Sequence, residues 1–252
     1  MKIGITERGD PARDLSWTNT VRNCDGAIII TKAITNALAK NLLQLNQEGF
    51  PVILHATCTG YGGTILEPHV PNYAAQLTSI VHMIQHGFPQ DHIILRIDPI
   101  IPTSEDVDTA TKVLDAAASM NIIPGCRVRI SILDEYRHVK ARLAAAGLPQ
   151  NFPGQFTANL EQRQYLTDAL KPYAEQFGVQ FECCAEKYLM DPIFVHQGCI
   201  SHADLRTMGL PVENMSVNPQ NRNGCLCLSC KHELLNNKHR CPHQCLYCYW
   251  QD

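Results

Sequence analysis

The chain has 252 residues, of which 45% are hydrophobic, and a formal net charge of −3 at pH 7. This composition supports a sizeable buried core and excludes a disordered chain or a strongly basic nucleic-acid-binding protein. No apolar run reaches the length of a membrane span and the first residues do not resemble a secretory signal, so we expect a cytoplasmic protein without a membrane partner. Twelve cysteines in a reducing compartment favour metal or redox chemistry over disulfides.

Short β-branched runs alternate with longer amphipathic stretches along most of the chain. The pattern predicts buried strands at residues 2–6, 27–31, 52–57, 92–98, 127–133 and 179–184. It predicts helices at residues 34–47, 74–86, 104–120, 134–146 and 160–177. Alternation of apolar strands with helices is typical of a parallel sheet, so we predict an α/β fold, a full or partial (β/α) TIM-type barrel. A doubly wound open sheet is the alternative.

The pattern changes after Met215. The following residues are rich in Asn and Cys and show neither helical nor strand periodicity. We therefore predict two parts, a (β/α) barrel domain at residues 1–215 and a Cys-rich metal-binding appendage at residues 216–252.

Six of the twelve cysteines lie between positions 225 and 248. The last three, Cys241, Cys245 and Cys248, have the spacing C-x3-C-x2-C, with Tyr247 directly before the third. One loop with this spacing can present three thiolates to a [4Fe-4S] cluster and leave the fourth iron open to another ligand. The motif therefore predicts an iron–sulfur cluster on these three thiolates.

This spacing, with its aromatic residue, resembles the cluster loop of radical S-adenosylmethionine enzymes. The resemblance implies that S-adenosylmethionine binds the open iron and is cleaved by an electron from the cluster, supplied by a donor such as ferredoxin or flavodoxin. The substrate would be an unidentified small molecule or peptide. In those enzymes the motif usually follows the first strand, whereas here it follows the last predicted strand, which implies a permuted barrel. Glu7 would then stand near the cofactor amine, although the usual Gly-Gly-Glu sequence is not found.

A second resemblance covers nearly the whole chain. It is carried by the cysteine-rich end and by residues 59–62, 67–68, 96–100, 131–136, 184–186 and 198–200. These segments resemble the uncharacterised family named domain of unknown function 1848, whose members are themselves similar to radical enzymes with the cluster motif at the end. The resemblance groups four further cysteines, which would bind a second [4Fe-4S] cluster: Cys184, Cys199, Cys225 and Cys227.

Zinc is the alternative metal. Two C-x2-C pairs have the spacing of a zinc ribbon: Cys227 with Cys230, and Cys245 with Cys248. A ribbon would make the segment a binding module, but it leaves Cys225 and Cys241 without a role, so we favour the cluster. We expect the nearby histidines to donate hydrogen bonds or face solvent rather than bind metal: His232, His239 and His243. The basic patch is weak and we expect no nucleic-acid partner; its members are Lys231, Lys238, His239 and Arg240.

Polar residues are predicted at the C-terminal ends of the strands, where (β/α) folds carry their active sites. The candidate catalytic residues are Glu7, Tyr61, Asp98 and Glu186. The candidate cofactor-binding residues are Lys32, Thr59 and Arg96. Arg96 and Asp98 share one face of a strand, where they either recognise an anionic group or form a buried ion pair.

The sequence therefore predicts an iron–sulfur protein, which we interpret as a radical S-adenosylmethionine-like enzyme of unknown substrate. The alternative within the same metal chemistry is a redox or electron-transfer protein that does not cleave S-adenosylmethionine.

Overall fold

The structure is a computed structural model that describes residues 1–149, 151–152, 154–213, 215–218, 224–237 and 241–250. The strands are β1 (Ile3–Ile5), β2 (Gly26–Thr31), β3 (Val52–Thr57), β4 (Ile93–Ile100), β5 (Arg127–Ile132), β6 (Phe181–Cys183), β7 (Phe194–His196) and β8 (Lys231–Glu233). The helices are α1 (Asn36–Gln47), α2 (Tyr73–Gln85), α3 (Ser104–Ser119), α4 (Arg137–Ala145), α5 (Leu160–Phe177) and α6 (His202–Thr207). All predicted strands and helices are present with slightly shifted ends, and β7, α6 and β8 were not predicted.

The eight strands form one parallel sheet with the order β7-β6-β5-β4-β3-β2-β1-β8. From β1 to β7 each strand lies beside the next one in the chain, without the reversal of order that defines a doubly wound sheet. The α/β class and the parallel sheet are therefore confirmed. The Leu228 amide donates to the Ile200 carbonyl at 3.2 Å, between the segments that flank β8 and β7. This contact makes the sheet compatible with a partial barrel.

The two faces of the sheet are buried against different partners. Helices α1 to α5 cover one face, where side chains such as Leu38 of α1 pack in the same core as Leu54 of β3. The alternation of side chains along each strand directs Ile28 and Ile53 to the opposite side, which we term the inner face. There they pack with Leu205 of α6. The site residues described below depend on which of these two faces they occupy.

The inner face also carries a buried ion-pair network. Arg129 of β5 lies beside Glu182 of β6 in the sheet register and donates to its carboxylate at 2.5 Å. Arg127 donates to Asp204 of α6 at 2.8 Å, and the Asp204 carboxylate lies 3.6 Å from the Arg129 guanidinium. Asp204 also forms the capping box of α6 with Ser201. One carboxylate thus fixes the start of α6 and compensates the buried Arg129 and the half-buried Arg127.

The last described segment, residues 241–250, packs onto the C-terminal ends of the strands. Arg142 of α4 donates to the backbone carbonyl of Cys248. His243 is buried, and its Nε2 lies 2.9 Å from the carboxylate of Asp10, which belongs to the loop after β1. The segment is therefore held by two separate parts of the chain.

The predicted boundary between residues 215 and 216 stays a sequence prediction. In the structure, β8 falls inside the predicted appendage and pairs with β1, with Ile3 opposite Lys231 and Ile5 opposite Glu233. Among the described residues, no helix is long and apolar enough to cross a bilayer.

Replacing Asp204 with alanine tests the ion-pair network. The variant leaves Arg127 and Arg129 short of a buried carboxylate, so we expect the free energy of unfolding to fall by about 3–5 kcal/mol in urea denaturation. Asp168→Ala is the control, because that carboxylate is exposed on α5 and its loss should change stability by no more than about 0.5 kcal/mol. A loss below about 1 kcal/mol for Asp204→Ala would show that the network does not stabilise the fold.

Replacing Arg142 with methionine tests the docking of residues 241–250. Methionine keeps an apolar stem but cannot donate to the Leu246 and Cys248 carbonyls that Arg142 contacts. We expect amide hydrogen exchange in this segment to accelerate at least about tenfold, because charged hydrogen bonds are lost. Arg22→Met, which removes an exposed arginine, should leave the exchange of this segment unchanged. Equal exchange in both variants would contradict the anchoring role.

Candidate functional site

Three cysteines meet where the segments around β6, β7 and β8 converge. The Sγ atoms of Cys184, Cys199 and Cys227 all lie within 4.8 Å of one another, and those of Cys184 and Cys199 are 3.6 Å apart. We refer to these residues as the cysteine triad. In the part of the chain that the structure describes, it is the only group of His, Cys, Asp or Glu side chains with this metal-binding geometry. These three cysteines could therefore bind a metal.

Local backbone geometry brings the triad together. A Cβ atom at Gly198 would lie 2.5 Å from the backbone nitrogen of Cys227, so only glycine allows the two segments to approach this closely. Ala185 has a φ of 60°, in the left-handed region that residues other than glycine seldom adopt, directly after Cys184. The Cys199 amide donates to the Cys227 sulfur at 3.3 Å. The close packing of the segments around Gly198 and Cys227 thus brings the three sulfurs together.

The triad contains an activated thiol. Hydrogen bonds from the Cys184 and Cys199 thiols lower the pKa of Cys227 to about 4. The same shared contacts raise the pKa of Cys184 well above its ordinary value. Because the thiolate is the form that binds metals, the triad presents a metal ligand at neutral pH.

Charged side chains of the inner face surround the triad. Lys231 of β8 donates to Glu7, and both groups interact electrostatically with Cys199 and Cys227. Burial, followed by the nearby charge of Cys199, raises the pKa of Glu7 to about 7. Arg129 of β5 donates from Nη1 to the Cys199 carbonyl at 3.2 Å. The candidate residue Glu7 therefore lies beside the triad.

Cys225 does not join this group. It is buried and its charge affects the Cys227 thiol, but its sulfur is not among those that lie within 4.8 Å of one another. The structure thus brings together three of the four cysteines that the sequence grouped.

The zinc-ribbon pairing is not formed by the described residues. Cys227 belongs to the triad, whereas Cys245 and Cys248 interact with Cys241 in a different group. Cys230 is buried with the apolar residues of the inner face. The sheet separates the two C-x2-C pairs that the spacing alone placed together.

The C-terminal triplet, Cys241, Cys245 and Cys248, lies in the docked segment 241–250. Burial raises the pKa of Cys245 to about 12, and the charges of the other two sulfurs act in the same direction. The three sulfurs do not meet the short distances of the triad.

His243 forms hydrogen bonds with neighbouring groups, as the sequence analysis predicted. Its Nδ1 lies 3.1 Å from the His69 carbonyl, and its Nε2 faces Asp10. The other basic groups of the predicted patch lie outside the described residues, at positions 238–240, except Lys231, which is paired with Glu7.

Lys32 belongs to a buried polar cluster beside the triplet. Its Nζ lies 2.7 Å from the Glu67 carboxylate and donates to the Tyr247 hydroxyl at 2.8 Å. Thr59 donates to the second carboxylate oxygen of Glu67 at 2.8 Å. Burial lowers the pKa of Lys32, but the charges of Glu67 and Cys245 outweigh it and raise the pKa above its ordinary value. The predicted residues Lys32 and Thr59 are thus joined through Glu67, which the sequence analysis named only as part of the family resemblance and not as a candidate site residue.

Arg96 and Asp98 form the ion pair that their spacing on β4 suggested. Ser131 of β5 donates to the same carboxylate, whose side chain is 25% exposed. The Asp98 charge acts on Lys32, while the Cys199 charge acts on Arg96. The pair therefore lies between the triad and the cluster around Lys32.

Two candidate catalytic residues occupy buried, bonded positions. Tyr61 is 4% exposed in the core under the helices, where its hydroxyl accepts from the Ile101 amide at 3.2 Å. Glu186 is 3% exposed, accepts from the Ile132 amide at 2.9 Å and pairs with Arg163 at 3.0 Å. Both side chains hold loops together in this structure.

His55 is a residue of the inner face that the sequence did not single out. It is fully buried on β3, and neither ring nitrogen has a hydrogen-bond partner among the described residues. Burial, followed by the charges of Arg129 and Arg96, lowers its pKa well below the usual range. Its only signal in the sequence was a histidine inside an otherwise apolar strand.

Comparison with known proteins identifies a family and no activity. No curated protein matches the chain. The family model described as "Domain of unknown function (DUF1848)" matches residues 11–250. The matched range contains both cysteine groups and every strand except β1. The chain therefore belongs to the DUF1848 family.

Proposed function

We propose that this protein is an iron–sulfur enzyme of the radical S-adenosylmethionine type, with a [4Fe-4S] cluster on the C-terminal triplet. The observation that carries the proposal is the position of the triplet, on a docked segment at the C-terminal ends of parallel strands. That edge is where (β/α) folds carry their active sites. The resemblance of the motif suggests radical S-adenosylmethionine chemistry, and the position of the triplet would place a cluster where a substrate could reach it.

The residues of the triplet fit such a cluster. All twelve cysteines are free of disulfides, so Cys241, Cys245 and Cys248 are available as ligands. Their sulfurs are close enough to influence one another, yet they are not packed around a single point. The Lys32 cation acts on Cys245 and favours its thiolate form. A cluster held here supplies one-electron chemistry to S-adenosylmethionine.

The proposal includes a partial (β/α) barrel whose interior is the inner face. Substrate and S-adenosylmethionine would enter from the edge that carries the triplet. Arg96 and Lys32 are the cations placed to attract an anionic group, and each is already held by a carboxylate that fixes its orientation. Glu7, with a pKa of about 7, can accept a hydrogen bond or a proton from an amine near neutral pH.

The remaining parts of the proposal follow from the chemistry. A reducing cytoplasm would keep the thiols free, and a ferredoxin or flavodoxin would supply the electron. The substrate would be a small molecule or a peptide.

The test is to purify the protein without oxygen and measure iron, acid-labile sulfide and the formation of 5′-deoxyadenosine after reduction. We expect about four irons and four sulfides per chain on the triplet. Cys241→Ser, Cys245→Ser and Cys248→Ser should each lose this iron and all 5′-deoxyadenosine formation. Cys24→Ala is the matched control, because Cys24 is buried and belongs to neither cysteine group.

The outcomes separate the alternatives. If the cluster is intact but no 5′-deoxyadenosine forms with either ferredoxin or flavodoxin as electron donor, the protein is an electron-transfer protein and not a radical S-adenosylmethionine enzyme. Iron and sulfide that persist in all three serine variants would exclude the triplet as the cluster site.

A further inference from the structure

The sulfur distances in the cysteine triad match a single metal ion. Two thiolates bound to one tetrahedral zinc at about 2.3 Å lie about 3.8 Å apart. The Cys184 and Cys199 sulfurs are 3.6 Å apart, and the Cys227 sulfur lies within 4.8 Å of both. Thiolates of a cubane bind different irons and need a wider spacing. The triad therefore has the geometry of one shared ion.

The surroundings of the triad compensate the charge of such a site. Three thiolates and a divalent ion carry a net charge of about −1, and burying it requires opposite charge nearby. A metal-bound Cys199 thiolate would interact with three cations: Arg96, Arg129, whose Nη1 already donates to the Cys199 carbonyl at 3.2 Å, and Lys231. The bond from the Cys199 amide to the Cys227 sulfur, at 3.3 Å, is the kind of outer contact that orients a metal ligand.

We propose that Cys184, Cys199 and Cys227 bind one thiophilic metal ion, Zn²⁺ by geometry, separate from the cluster on the C-terminal triplet. Three protein ligands are the number found where zinc keeps one position for water or a ligand. Glu7 and Lys231, paired with each other, are the charged side chains of the inner face that interact with the triad. The fourth position would take water or an anionic group of a small molecule.

The ion would also connect strands that do not pair with each other. Cys199 follows β7, and Cys227 precedes β8, while these two strands stand at opposite ends of the strand order. One ion bound by both residues would reinforce the backbone bond from the Leu228 amide to the Ile200 carbonyl. Metal binding would thereby stabilise the contact between the segments beside the two outermost strands.

The experiment uses the full chain with Cys241, Cys245 and Cys248 all replaced by serine, so that iron on the triplet cannot obscure the result. Purified with zinc, this parent should contain about one zinc per chain and no sulfide. Adding Cys184→Ser, Cys199→Ser or Cys227→Ser should remove the zinc. Cys225→Ser is the matched control, because Cys225 is buried two positions before Cys227, and it should keep the zinc.

A second measurement, on the parent protein alone, tests the site even if the additional cysteine variants fail to fold. Cobalt bound to the parent should show the visible bands of a tetrahedral site together with sulfur-to-cobalt charge transfer. An octahedral cobalt spectrum without charge transfer would overturn the proposal, as would a folded parent that binds neither zinc nor cobalt. Iron with sulfide that depends on the triad would overturn it in favour of a second cluster. Loss of zinc in Cys225→Ser would show that Cys225 is a fourth thiolate ligand and would overturn the proposed open position.

The result is independent of the function proposed above. With the wild-type triplet, Cys199→Ser should lose zinc but keep the iron and sulfide of the triplet. Failure of the zinc proposal would leave that iron unchanged in the wild type, and failure of the cluster proposal would leave zinc on the triad.

Discussion

The pairing of β8 with β1 is the constraint on which both cysteine groups depend. β8 has three residues, and the bonds from the Ile3 amide to the Cys230 carbonyl and from the Leu234 amide to the Ile5 carbonyl, both 2.8 Å, fix its ends. Cys227 lies four positions before β8, and the triplet begins eight positions after it. The chain that enters β8 carries Cys227 to the sulfurs of Cys184 and Cys199, which follow β6 and β7, and the chain that leaves β8 leads to the triplet. The triad and the segment that carries the triplet are positioned by the same few bonds.

The arginines and carboxylates of the inner face are compatible with buried thiolates at the cysteine triad. The buried face of a sheet is usually filled by apolar side chains, and Ile28 and Ile53 meet that expectation. Beyond them the inner face carries arginines, carboxylates and His55, a histidine with no hydrogen-bond partner among the residues that the structure describes. Buried charge is costly unless it is paired. Arg129 and Arg96 are each paired, yet each also interacts with Cys199, so they compensate carboxylates and thiolates together.

The elements predicted best from the sequence were those whose signal is local. Apolar strands and amphipathic helices repeat over enough residues to show their period, as in α5, which begins with the capping box of Asn159 and Gln162. β7, β8 and α6 have three to six residues, too few for a period, and they exist because the rest of the sheet offers them a partner. The strand Lys231–Glu233 has no apolar pattern, because Lys231 pairs with Glu7 and Glu233 accepts a hydrogen bond from the Glu7 amide at 3.2 Å.

The residues of the candidate site also fall into those that a local sequence pattern indicates and those that only the tertiary structure brings together. The triplet can be recognised in the sequence because its three cysteines lie within eight residues of one another, and its metal binding stays a prediction. The ion pair of Arg96 with Asp98 followed from the alternation of one strand. By contrast, Tyr61 and Glu186 were proposed from their position at strand ends, and only tertiary packing shows that both are bonded inside the core. Spacing alone also could not separate Cys227 from Cys230, because the sheet, and not the distance along the chain, decides which sulfurs meet.

The two proposed metal sites are coupled through the fold. An ion that binds the folded triad and not the unfolded chain stabilises the fold in proportion to RT ln(1 + [L]/Kd), which is about 2.7 kcal/mol at a hundredfold excess over Kd. Its ligands would hold the segment before β8, and β8 in turn positions the residues that lead to the triplet. Arg96 and Asp98 lie between the two groups and interact with both sides, since the Cys199 charge reaches Arg96 and the Asp98 charge reaches Lys32. Occupancy of the triad would therefore alter the electrostatic field at the place where a substrate would meet the cluster.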